Sequence, residues 1–344
     1  AMRWSGGWEW ASVDLGASRS YSLVTASERT RLRYDMPWLA WEIHEGPWSG
    51  SVMASWPRLD MDYRYRQFLG STGEDLTDPY DDAGSHRRRL RPRVGVSYRF
   101  APGRAVHAAY IESMYSPASH TLAPVAVGAI PIDYQYQMPG SLVRKLAVQL
   151  DWEIDARSFA WLSISRQRIA NPLFGDGSLL YPMGVLIGDK VGSLGPLIQG
   201  AETATDAYNG DPQFDRGTLR QVAAAYNRVL TPWWSMLAGY TWSQSRNTGE
   251  FFRDNALPGF PRHTGVLVNV WKHGGRDYTL MSLVYRSTRF TRASNLTVQP
   301  AGWTLGLAHS MDFSDRHWSL IGSVQGPLDG REPPTFWLRL RWRG

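Results

Sequence analysis

The 344-residue chain contains no cysteine, which excludes thiol catalysis, a disulfide framework and cysteine-based zinc sites. Lysine is nearly absent: with only Lys145, Lys190 and Lys272, 34 of the 37 basic residues are arginine. No apolar run reaches 18 residues, the length a helical membrane span needs, and mean hydropathy is −0.36. There is no HExxH, no histidine pair at ligand spacing, no GxxxxGK[ST] loop and no dinucleotide fingerprint, so neither a metal site nor a cofactor is expected. What the chain does hold is aromatic and glycine-rich sequence: 17 Trp, 16 Tyr and 33 Gly, with only 20% charged residues.

Alternation is the decisive local signal. Between Arg87 and Phe100 one parity reads Arg87, Arg89, Arg91, Arg93, Gly95, Ser97 and Arg99, and the other Leu90, Pro92, Val94, Val96, Tyr98 and Phe100. A period of two places the sets on opposite faces of a strand. Lys145 to Ile154 repeats the pattern, with Leu146, Val148, Leu150, Trp152 and Ile154 opposing Lys145, Gln149, Asp151 and Glu153. So does the C-terminus, where Phe336, Leu338, Leu340 and Trp342 oppose Trp337, Arg339, Arg341 and Arg343. Short turn signals fall at Asp35-Met36-Pro37, Ala101-Pro102-Gly103, Asp155-Ala156-Arg157, Thr231-Pro232, Gly274-Gly275-Arg276 and Ser314-Asp315-Arg316. Between hairpins lie longer segments, 70–86, 116–141, 169–216, 245–262, 288–300 and 324–333.

Short turns at one end, long loops at the other and tryptophans near strand ends are the pattern of a bacterial transmembrane barrel. The expected fold is all-β: one antiparallel up-and-down barrel over residues 1–344, with short periplasmic turns, long extracellular loops and outer-membrane localisation. The expected strands are 5–15, 20–34, 38–46, 49–57, 60–69, 87–100, 105–115, 142–154, 158–168, 217–230, 233–244, 263–273, 277–287, 301–312, 317–323 and 334–343. That makes sixteen, with fourteen or eighteen as alternatives and a helix as the alternative for 216–230. The N-terminus lacks the pattern of a signal peptide, which suggests a mature or excised fragment.

In such a barrel the charged parity lines the lumen. The expected pore-lining residues are Arg64, Arg66, Arg87, Arg89, Arg91, Arg93, Arg99, Lys145, Asp151, Glu153, Arg339 and Arg341; arginine rings favour anions. The alternative is that arginines and carboxylates pair and brace the wall. Segment 169–216 is too apolar for a solvated loop, and Leu179, Tyr181, Met183 and Leu186 are expected to plug or cap the mouth. The acidic stretch 74–82 lacks the spacing of a calcium loop. His309, Ser310, Asp312 and His317 are near in sequence, but no hydrolase motif surrounds them, and no enzyme is expected. Arginines alternating with apolar residues do not form a nucleic-acid patch.

The strand count, aromatic pattern and loop asymmetry resemble bacterial outer-membrane β-barrels. More loosely they resemble the C-terminal barrel of exopolysaccharide exporters that carry periplasmic tetratricopeptide repeats. That resemblance implies a pore secreting a polysaccharide, with a helical-repeat domain or partner in the periplasm. One departure is the ending, where Trp342 is followed by Arg343 and Gly344. The alternatives are a general or anion-selective diffusion porin for small solutes, and a plugged structural or receptor barrel. Membrane lipid and lipopolysaccharide are the expected surroundings in each case.

Overall fold

The computed structural model describes residues 2–20, 24–69, 82–114, 126–131, 141–170, 214, 216–249, 252–274, 277–291, 293–313, 318–330 and 333–342. Its regular elements are all strands. They are β1 (Met2–Ser20), β2 (Val24–Glu45), β3 (Trp48–Ser55), β4 (Arg58–Leu69), β5 (Asp82–Arg88), β6 (Arg91–Ala101) and β7 (Arg104–Met114). There follow β8 (Ala126–Val127), β9 (Ile130–Pro131), β10 (Leu142–Asp155), β11 (Ser158–Ala170), β12 (Arg216–Thr231), β13 (Trp234–Asn247) and β14 (His263–Gly274). The last six are β15 (Asp277–Arg286), β16 (Arg289–Phe290), β17 (Val298–Gln299), β18 (Gly302–Asp312), β19 (Trp318–Pro327) and β20 (Thr335–Trp342).

Sixteen of these strands join one antiparallel sheet; β8–β9 and β16–β17 are separate small hairpins inside long loops. The count of segments equals the expected sixteen, but the strands are divided differently, and two pairs of segments are each one crossing of the wall. Segments 20–34 and 38–46 fuse into β2, because Asp35 and Pro37 lie within its ladder to β1 instead of turning. Segment 87–100 instead divides between β5 and β6. The alternation in 216–230 forms a strand, β12, rather than a helix. β3 and β4 both lie along β2, interrupted at Trp56-Pro57, where proline has no N–H to give a ladder. They form one long stave, and β5 with β6 forms the next. Among the described residues the wall therefore has fourteen staves, the alternative to the expected sixteen, each beside its neighbour in sequence, in an up-and-down barrel. β1 and β20 are its two edges, and among the described residues no ladder joins them.

Register fixes which side chains face out. On β10, β11 and β12 the outward rungs are Leu146↔Arg166↔Arg220, Val148↔Ile164↔Val222 and Leu150↔Leu162↔Ala224. Leu146 is 59% exposed and Ile164 57%. An apolar face this extensive exceeds what a water-soluble surface carries, and lipid is the medium that accepts it. Nearer the short turns the outward face becomes aromatic, through Trp48, Tyr98, Trp152, Trp234, Trp271, Trp318 and Trp342. Trp48 lies 4.3 Å from Tyr98, and the Arg104 guanidinium sits 4.7 Å over Trp152. Indole and phenol rings at headgroup level mark one membrane boundary.

Candidate functional site: a constricted lumen and a pocket at its mouth

The inward faces of β6, β7 and β10 form a curved wall. Gly95, Ala109 and Ala147 make one rung of it, and Ser97, His107 and Gln149 the next. The first rung is built of small residues, which leaves room for another segment. The β8–β9 hairpin occupies that room: Val127 and Ile130 pack on Ala109, Ile111 and Ala147, all 3% exposed or less. The hairpin's two-residue turn, Gly128-Ala129, has φ of +51° and +62°, both in the left-handed region of a type I′ turn. The Gly128 N–H donates to Ser51 Oγ at 3.0 Å, and Lys145 Nζ donates to the Pro131 carbonyl at 3.2 Å. Gly95 and Gly128 meet backbone to backbone. A Cβ on Gly95 would lie 2.6 Å from the Val127 carbonyl carbon, so glycine is required there.

Beneath the hairpin a polar network crosses three strands. Ser97 Oγ lies 2.7 Å from His107 Nδ1, His107 Nε2 is 3.2 Å from Asp151 Oδ2, and Gln149 Nε2 donates to Asp151 Oδ1 at 2.8 Å. Serine, histidine and aspartate meet here; of the cluster at 309–317, His309 and Ser310 fall on opposite faces of β18, and His317 lies outside the described residues. All three lie in strands paired on both sides, which commits their own N–H groups to ladders. The network braces the wall. A second inward chain runs from Gln167 to Gln221 at 3.2 Å and from Gln221 to Ser243 at 3.2 Å.

Two more long loops turn inward at the mouth. Leu257, fully buried, packs with Val143, Ile169, Phe214 and Ala293. It lies over Gly217, where a Cβ would meet its side chain at 2.6 Å. Asn255 Nδ2 donates to the Ala293 carbonyl at 2.9 Å, and Asn295 is bonded both ways to Ala256, so the loops carrying Leu257 and Ala293 are tied together. Beside them is a cavity of about 760 Å³, lined among others by Arg286, Arg289, Gln299, Asp329 and Trp337, with the β16–β17 hairpin along one side. Its volume lies in the range of small-molecule sites, and its lining combines charge, amide and indole.

The expected pore-lining residues separate into several surroundings. Arg93 is 2% exposed and donates to Met53 Sδ at 3.5 Å, so it is packed in the wall. Arg91 is also buried. The β6–β7 ladder begins only at Arg93↔Ile111, and Arg91 reaches Glu112 at 3.3 Å where the strands part. Lys145 is buried beneath the hairpin, and Asp151 Oδ2 lies 3.2 Å from His107 Nε2. Glu153 is exposed beside the Gly103 turn, Arg99 is exposed on β6, and Arg339 is exposed on β20. Arg89 is exposed near the barrel rim. The side chains of Arg64, Arg66, Arg87 and Arg341 lie outside the described ones. So do Leu179, Tyr181, Met183 and Leu186. Sequence reading missed Gly95, Gly128, His107, Leu257 and the glutamine chain. Two signals were present: a glycine interrupting an arginine parity, and a Gly-Ala turn between Val127 and Ile130 inside a long loop.

No family model and no curated protein matches this chain. Solved structures do match by shape. The ferric yersiniabactin uptake receptor of Yersinia pestis aligns with a TM-score of 0.61 at 9% identity, over 98% of this chain and 49% of that one. The ferric citrate transporter in its unliganded form aligns with a TM-score of 0.55 at 12% identity, over 99% of this chain and 59% of that one. The chain thus spans about half the length of these neighbours. Identity this low carries the fold alone: the chain has the fold of an outer-membrane β-barrel. Exopolysaccharide export draws no support from these likenesses.

Proposed function

We propose that the protein is an outer-membrane receptor and transport barrel that holds a hydrophilic solute of small-molecule size at its outer mouth, above a lumen constricted by its own loops. The observation that carries this reading is the cavity of about 760 Å³ bordered by Arg286, Arg289, Asp329 and Trp337. It is a chemically mixed, half-open recess rather than a smooth channel wall. The neighbours support it to the extent that their names describe a receptor and a transporter for ferric chelates. A second reading, the diffusion porin, is favoured by one feature. The inward hairpin follows the fifth stave, where general porins narrow their pores. A polysaccharide exporter needs a wide passage, and the seated hairpin works against one.

Single-channel conductance in a planar bilayer separates these readings. The receptor reading expects the intact protein to be nearly silent, and a variant lacking residues 126–131 to conduct. A large steady conductance from the intact protein overturns it in favour of the porin.

A further inference from the structure

We propose that the outer surface of β10–β12, at the long-loop end, is a docking site for a phosphorylated glycolipid headgroup of the outer leaflet. The argument begins with register. On the outward face the apolar rungs Val148↔Ile164↔Val222 and Leu150↔Leu162↔Ala224 give way, one rung further from the short turns, to Leu146↔Arg166↔Arg220. The next rung is Arg144↔Arg168↔Thr218, followed by Leu142↔Ala170↔Arg216. Arginines stand opposite one another at Arg144↔Arg168 and Arg166↔Arg220. Like charges directly opposed on a sheet face are unfavourable unless something between them carries the opposite sign.

Among the described residues the protein supplies little of that charge. Glu112 accepts Arg144 at 3.2 Å and Arg91 at 3.3 Å, and the Tyr110 hydroxyl donates to it as well. Arg246 pairs with Asp254. Among the described residues Arg88, Arg89, Arg166, Arg168 and Arg220 make no ion pair, and all five are exposed. Arg88, Arg89, Arg166 and Arg168, with Arg144 and Arg216, border a groove of about 740 Å³ at the rim, and Arg220 stands on the outward face one rung below Thr218.

Position selects the occupant. The groove runs over the rim to Ile169 and Gly217, and its outward wall, Arg144, Arg166 and Arg168, begins at the upper margin of the lipid-facing belt, on the same face as Leu146 and Ile164. A ligand there must place acyl chains on the belt and its anionic part within the groove. Guanidinium forks bind phosphate oxygens two at a time, and arginine keeps its charge at a low-dielectric boundary where lysine titrates more readily. Several arginines over three adjacent strands can engage more than one phosphate. A sugar headgroup bearing phosphate monoesters meets that requirement better than a single phosphodiester. The proposal needs only the barrel's placement in the outer membrane, not the receptor reading.

The test is lipid retention by the whole chain in detergent, counted by native mass spectrometry, with thermal unfolding as a second readout. The probes are lipid A with both phosphates, its dephosphorylated form, and phosphatidylglycerol. Bisphosphorylated lipid A is expected to be retained and to raise Tm, and the other two to do neither. Replacing Arg166, Arg168 and Arg220 with Gln should lower affinity by at least about tenfold for each charge-assisted hydrogen bond removed. R166K/R168K/R220K should retain an intermediate affinity, and R339Q, inside the barrel, should behave as the parent. Equal retention of dephosphorylated lipid A, or of phosphatidylglycerol, overturns the proposal without any variant. Undiminished retention by the folded triple Gln variant overturns it too.

Discussion

Adding one methyl group at Gly95 is the sharpest perturbation of the constriction. An alanine Cβ there would lie 2.6 Å from the Val127 carbonyl carbon and 2.8 Å from Gly128 Cα, both backbone atoms that cannot rotate away. Overpacking of this kind costs about 1–3 kcal/mol. Gly95 itself sits in a ladder on both sides, whereas the hairpin is held by Val127, Ile130 and two hydrogen bonds to side-chain partners. The overlap therefore falls on the hairpin's seating and not on the wall. It shifts the seated–unseated equilibrium by roughly 5- to 150-fold. The absence of native cysteine supplies the assay. Val127→Cys, at a position 3% exposed when seated, should react with a maleimide only through the unseated state. Where opening is fast relative to labelling, the rate follows the open population, so V127C/G95A should label about 5- to 150-fold faster than V127C. Openings in a planar bilayer should become more frequent in step. Equal labelling rates, with barrel mobility on a gel unchanged, would refute the seated hairpin.

Four further outcomes rest on particular interactions. Ala129→Gly relieves a left-handed φ that costs an L-residue about 1–2 kcal/mol, so it should slow V127C labelling. Glu112→Ala leaves the buried Arg91 guanidinium unpaired and should cost about 3–5 kcal/mol in a urea titration, while Arg144→Gln, 42% exposed, should cost no more than about 1 kcal/mol. Leu257→Ala should destabilise the tied loops by about 2–5 kcal/mol, read as faster proteolysis within 252–262 with the strands intact. If the mouth cavity binds solute, Arg286→Gln and Trp337→Ala should each weaken binding by calorimetry without opening the channel.

The class of fold was legible from local pattern alone. Alternation along 91–100 and 142–154 needs only the two-residue period of a strand, and lipid on one side sets which parity is apolar. The turns at 102–103, 156–157 and 232–233 were legible for the same local reason. Pro37 reads as punctuation because tolerance of a proline in a strand depends on whether a neighbour needs an N–H donor at that position, a property of the ladder. The site depended on long-range assembly. Parity marks Arg91, Arg93 and Lys145 as facing inward, but whether each meets water, a carboxylate or a seated hairpin depends on loops arriving from residues 126–131 and 252–262. The rim arginines show the converse: Arg144, Arg166 and Arg220 come from three strands, and only register sets their charges on one face. Alternation is a property of one strand, whereas constriction, pocket and charge cluster are properties of pairing between segments distant in the chain.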